Sequence, residues 1–144
     1  SFADECIVVD SGSADDTVEI ARSGGARVIA QPWLGYGAQK NFAVSQASHD
    51  WVLCLDADER ITPELAASIR RAMAAPGAAA YRMARRNRFL GRWLRHGEGY
   101  PDWNVRLFDR RHARSCRSLI SPKYSTCRCS TRPPLSRRFS TMLQ

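Results

Sequence analysis

An α/β fold around a mainly parallel sheet is predicted by three features of this 144-residue sequence. Short, nearly continuous apolar runs at Glu5–Asp10 and Trp51–Leu55 have the character of strands buried on both faces. Each is followed by a polar turn and then by a segment of helical apolar spacing, the order of a right-handed βαβ crossover. Hydrophobic residues make up 44% of the chain, enough for one core, and the length suits one domain rather than two.

The first strand, Glu5-Cys6-Ile7-Val8-Val9-Asp10, runs into a polar turn. Ser13 with Asp16 three residues on reads as a capping box, Val18, Ile20 and Ala21 supply a helical stripe, and Gly24-Gly25 close the helix. Arg27–Ala30 is the next strand, and 31–37, with one proline and two glycines, is a loop. Residues 38–47 carry Phe42, Ala43 and Ala47 at helical spacing, and Trp51–Leu55 is the third strand, running directly into Asp56-Ala57-Asp58-Glu59. Thr62 as N-cap, Pro63 at the first helical position and Glu64 in the first turn start a helix carrying Leu65, Ile69 and Met73, which Pro76-Gly77 stops. Residues 80–88 are strand-like but basic, residues 89–95 mix aromatics with arginines, and a half-buried strand is expected at 103–108. Residues 115–144 hold seven Ser, three Thr and six bases with no acid, Gly or Ala, and are expected to be a poorly ordered tail.

The formal charge of +8 is divided unevenly. Residues 1–81 carry 11 acids and 6 bases, whereas residues 82–144 carry 3 acids and 16 bases. A basic half attracts nucleic acid, nucleotide-sugars or anionic lipid head groups alike, and charge alone does not choose among them. No apolar run reaches the roughly 18–20 residues that span a bilayer, and the first residues lack signal-peptide character, so a cytoplasmic protein is expected. Cys6 and Cys54 sit in apolar runs as buried thiols, and Cys116, Cys127 and Cys129 lack the paired spacing of a zinc site.

The sharpest chemical signal is Asp56-Ala57-Asp58 at the end of an apolar strand. Carboxylates at i and i+2 of an extended backbone point the same way and can share a hard cation such as Mg²⁺ or Mn²⁺. An isolated Asp-x-Asp often matches by chance, so context decides. That context is Asp10, a carboxylate at the end of the first strand beside a helix start, where open α/β sheets gather their ligands. Two of the three acids in the basic half, Glu98 and Asp102, lie in a Gly- and Pro-flanked loop able to face a cleft.

The strings IVVDSGSADDTVEIA, GYGAQKNFAV, DWVLCLDADERITPEL and RNRFLGRWLRHGEGYPDWNVRLFDRR, in that order, resemble the family 2 glycosyltransferases of GT-A fold. The likeness is greatest to their lipopolysaccharide core β-1,4-glucosyltransferase branch, and it extends over roughly residues 4–114. It implies a partial GT-A domain, Rossmann-like, over 1–114, followed by the atypical tail. The family begins with a strand and helix upstream of IVVDSGS and continues beyond RLFDRR, so the chain is expected to be truncated at its front and divergent after about residue 114. The resemblance further implies a UDP-sugar donor bound by Asp10 at the uracil or ribose, by Asp56 near the ribose and by Lys40. It puts Asp58, with Asp56, on a divalent metal bridging the diphosphate, and Glu98 or Asp102 as the base of an inverting displacement. Trp93, Tyr100 and Trp103 are candidates to stack on sugar. Arg85, Arg86, Arg88, Arg92 and Arg95 would suit an anionic acceptor such as lipopolysaccharide core, reached at the cytoplasmic face of the inner membrane, with no nucleic-acid partner. Two other readings stay open: an inactive nucleotide-sugar-binding fragment, and a basic nucleic-acid-binding module.

Overall fold

A computed structural model describes residues 2–94, 96, 100–113 and 139–143. In chain order the elements are β1 (Glu5–Asp10), α1 (Thr17–Ser23), β2 (Arg27–Ala30), α2 (Tyr36–Gln46), β3 (Trp51–Leu55), α3 (Pro63–Ala74), β4 (Ala80–Arg85), β5 (Arg88–Phe89), β6 (Arg92–Trp93), β7 (Asp102–Asp109), α4 (Arg110–Ala113) and β8 (Phe139–Leu143). Six strands form one sheet in the order β2-β1-β8-β3-β7-β4, and β5-β6 form a separate hairpin. The pairs β1–β2, β1–β8 and β3–β8 are parallel, while β7 runs antiparallel to both β3 and β4.

Apolar alternation divides the core between the two faces of this sheet. On one face Ile7, Val9, Val52, Cys54 and Phe108 pack with Ala43 and Ala47 from the α2 segment. On the other, Trp51, Leu53, Leu55 and Leu107 pack with Ile69 and Met73 of α3. All five β3 residues are buried, as a run covered by helices on both sides requires. Fully buried side chains such as Ile7, Leu53 and Leu107 each contribute about 1.5–3 kcal/mol. The start of α3 follows its capping residues: Thr62 accepts a hydrogen bond from the Leu65 N–H and Pro63 occupies the first turn.

Two expectations are corrected. The capping box at Ser13 and Asp16 does not form: Asp16 is the N-cap but makes no side-chain cap bond, and the Ser13 hydroxyl donates to Asp10 instead. The nearer carboxylate wins because Ser and Asp side chains favour bonds within their own turn. The stripe on α1 buries no residue, since this two-turn helix lies against edge strand β2 and leaves Ile20 exposed. Phe139–Leu143 form a central strand of this sheet, while 114–138 lie outside the described residues. Between β1 and β3, each rich in buried residues, a row of backbone donors and acceptors faces inward, and an extended segment satisfies it from both sides.

Candidate active site

The parallel register brings the sheet's chemistry to one end. Leu143 of β8 is level with Val8 of β1 and with Leu55 of β3, so Asp10 and Asp56 emerge side by side beyond it. Two strand spacings put their backbones about 10 Å apart. Because β4 runs parallel to β3 by way of β7, its last residue, Arg85, reaches the same end.

At Asp10 the chain turns through Gly12, whose φ of 106° suits glycine. The carboxylate accepts hydrogen bonds from the Gly12 N–H at 2.9 Å, the Ser13 N–H at 3.1 Å and the Ser13 hydroxyl. The Ser13 hydroxyl first, and then the Gly12 amide, hold the Asp10 carboxyl below the ordinary aspartate value. Gln39 on α2, fully buried, ties the neighbouring loops together. Its amide donates to the Ser11 hydroxyl at 3.0 Å and to the Gln31 carbonyl at 3.4 Å, while its oxygen accepts from the Leu34 N–H.

Past β3, residues 56–59 fold into a turn closed by the Glu59 N–H donating to the Asp56 carbonyl at 2.9 Å. The premise of an extended Asp-x-Asp therefore does not hold, and the two carboxylates have different surroundings. Asp56 is gripped from two sides: Lys40 Nζ lies 2.7 Å from Oδ1 and Arg106 Nη2 lies 2.9 Å from Oδ2. Burial pushes the Asp56 carboxyl up, but Lys40 and Arg106 outweigh it and hold the group below its ordinary value. Arg106 also pairs with Glu59, whose other oxygen accepts the Asp56 N–H at 3.2 Å. Arg85 extends the chain, 3.7 Å from Glu59 and 2.8 Å from Asp102 Oδ2. Three cations thus alternate with three carboxylates, a balanced set.

Asp58 stands outside it, exposed, with no hydrogen bond or ion pair among the described residues. Its carboxylate presents the hard oxygen ligand that a magnesium-like ion takes, leaving further positions to substrate phosphate and water. The described residues contain no cluster of three or more such ligands.

Of the residues singled out from sequence, Asp10, Lys40, Asp56, Asp58 and Asp102 meet at this end of the sheet, and Glu98 lies outside the described residues. Lys40 contacts Asp56 directly. Asp102 is committed to Arg85, and its Oδ1 accepts from Asn104 at 3.0 Å. Trp93 and Trp103 are half exposed, with Arg86 5.4 Å over the first ring and Arg82 5.0 Å over the second.

Sequence reasoning missed Arg106, Glu59 and Gln39. Arg106 alternates with apolar neighbours and so read as solvent-facing, yet it is 8% exposed because continuing the β3–β7 register puts it beside Cys54, on the approach to Asp56. The signal available for Gln39 was a long polar residue set into the Ala-bearing, core-facing stripe of α2.

The family model described as Glycosyl transferase family 2 matches residues 2–139. An uncharacterized glycosyltransferase of Rickettsia typhi is 57% identical over 65 residues, which is 45% of this chain and 22% of that protein. The lipopolysaccharide core biosynthesis glycosyltransferase LpsC of Rhizobium meliloti is 36% identical over 119 residues, 78% of this chain and 41% of LpsC. A TPR repeat-containing protein of Synechococcus elongatus is 39% identical over 83 residues, 57% of this chain and 21% of that protein. The chain therefore spans between 21% and 41% of the length of these three curated relatives. No solved structure matches it.

Proposed function

We propose, from the premise that this chain belongs to glycosyl transferase family 2, that it carries the donor site of an enzyme passing a hexose, glucose by resemblance, from a UDP-sugar to a lipopolysaccharide core saccharide. The observation that carries the reading is the split character of the Asp56–Glu59 turn: Asp56 locked between Lys40 and Arg106, and Asp58 exposed at the same rim. What further supports it is Asp10, kept ionised by its own turn and two strand spacings away, where a ribose or uracil donor group would find an acceptor.

In this reading Asp58, with Asp56 beside it, holds a Mg²⁺ or Mn²⁺ ion. Such an ion, when bound, neutralises charge developing on the departing diphosphate, a Lewis-acid contribution worth several kcal/mol. Lys40 and Arg106 fix the Asp56 carboxylate so that its position is set before donor arrives, which is where preorganised charge gains its effect. Gln39 holds the loops after β1 and β2 in a single arrangement around the nucleotide. Inversion by direct displacement needs a carboxylate to take the acceptor hydroxyl's proton. Because the Asp102 oxygens are taken up by Arg85 and Asn104, we assign that proton to Glu98. No described helix is long and apolar enough to cross a membrane, and the basic half is assigned to contact with the membrane that bears the acceptor.

The experiment is titration with UDP, with and without Mn²⁺, on the native chain and on Asp58→Ala. Metal-dependent binding that disappears in the variant is the expected result. Binding of equal strength in the variant, or without metal, would sink the assignment of Asp58. Donor binding without transfer in the same preparation would select the alternative reading, a nucleotide-sugar-binding segment without turnover.

A further inference from the structure

The hairpin β5-β6 presents a combination that the donor site does not use. Its strands pair Arg88 with Trp93 and Phe89 with Arg92, so an aromatic and a cation stand across from each other on both faces. Its two-residue turn is Leu90-Gly91, with φ of 45° and 78°, the positive pair that a type I′ turn demands. Asn, Asp and Gly suit that first position, whereas a bulky apolar residue there is an outlier. Leu90 nonetheless holds it with 87% of its surface exposed, beside Phe89 at 64% and Trp93 at 53%. A strained residue whose side chain is this exposed gains little from packing among the described residues, and strain of this kind clusters where something binds.

Charge and the exposed apolar tip together point to the occupant. Residues 86–95 carry four arginines and no acid. A small apolar tip between arginines, with a tryptophan at its base, matches the boundary of an anionic bilayer: Leu and Phe enter the acyl edge, Trp sits at head-group depth, and arginines meet lipid phosphates. The hairpin also leaves the sheet from the Arg85 end of β4, the end at which the candidate site lies.

We propose that the 88–93 hairpin is a membrane-docking finger that inserts Leu90 and Phe89 into the surface of an anionic bilayer and turns the donor site toward acceptors held there. The proposal deepens the membrane contact of the functional reading, and it is measured without nucleotide or metal, so that its failure is distinguishable from failure of the transferase assignment.

The test uses Leu90→Asn, which supplies the residue the turn prefers and should leave thermal unfolding unchanged or raised. Sedimentation is measured with vesicles of phosphatidylcholine alone and of phosphatidylcholine mixed equally with phosphatidylglycerol. The native chain is expected to bind only the anionic vesicles, and more weakly as salt rises. Leu90→Asn is expected to bind them at least about tenfold more weakly, from the apolar surface it no longer buries. Arg92→Gln should lose about fivefold, and only on the anionic vesicles. Absence of binding by the native chain, or undiminished binding by Leu90→Asn, overturns the proposal. Leu90-dependent self-association without vesicle binding overturns it in favour of a contact between copies of the chain.

Discussion

At the scale of single residues, the site depends on buried polar groups that each serve more than one partner. Gln39 satisfies the Leu34 N–H, the Ser11 hydroxyl and the Gln31 carbonyl from one buried amide. Gln39→Ala is expected to lower stability by about 1–3 kcal/mol, since those groups lose partners in a partly buried place. It should also weaken UDP binding, because Ser11 follows Asp10 directly. Urea unfolding and nucleotide titration on the same sample check both, and intact affinity would separate the loops from the donor. The places of Asp10 and Asp56 at strand ends were legible from the apolar runs that precede them. Arg106 was not, since a charge at an alternating strand position reads as solvent-facing until the register is known.

Among the elements, β3 and α3 follow almost directly from sequence: one is an unbroken apolar run, and the other carries Thr62, Pro63 and a regular Leu65, Ile69, Met73 stripe. The hairpin β5-β6 was hidden because its turn is Leu-Gly, without the Asn or Asp that announces such a loop. The central strand β8 was hidden for a different reason: it is five residues long and follows a Ser- and Arg-rich stretch, and its partners are remote in sequence. Thr141 lies in the β8 ladder between Cys6 and Leu53, so Thr141→Pro removes a backbone donor from the middle of the sheet. A loss of about 3 kcal/mol or more is expected, read from the urea midpoint. A variant as stable as the native chain would mean that β8 contributes little to holding β1 against β3.

Over the whole molecule, three aspartates make stability depend on acidity in one direction. Asp10 is held low by the Ser13 hydroxyl and Gly12 amide. At Asp56 and Asp109 burial raises the carboxyl, but Lys40 and Arg106 at the first, and Arg111 at the second, outweigh it. A lowered folded value means that the unfolded chain takes up protons first as pH falls. The stabilisation is therefore complete above the unfolded value and lost as pH drops through the folded one. The urea midpoint should hold level from about pH 7 to 5 and fall below about pH 4. Asp109→Asn should be less stable at neutral pH and decline less steeply in acid, and an unchanged slope would remove Asp109 from the account.

The position of β8 also governs the order in which the protein can be assembled. Its neighbours β1 and β3 are complete long before Phe139 is synthesised, and without β8 the β2-β1 pair and the β3-β7-β4 group have no strand joining them among the described residues. Contacts this distant in sequence are slow to form, and until they do both halves present open apolar strand edges. The expected hazard is a nascent chain that pairs with its neighbours before it pairs with itself, so that yield from expression depends on temperature and chaperone supply more than on the stability of the finished fold.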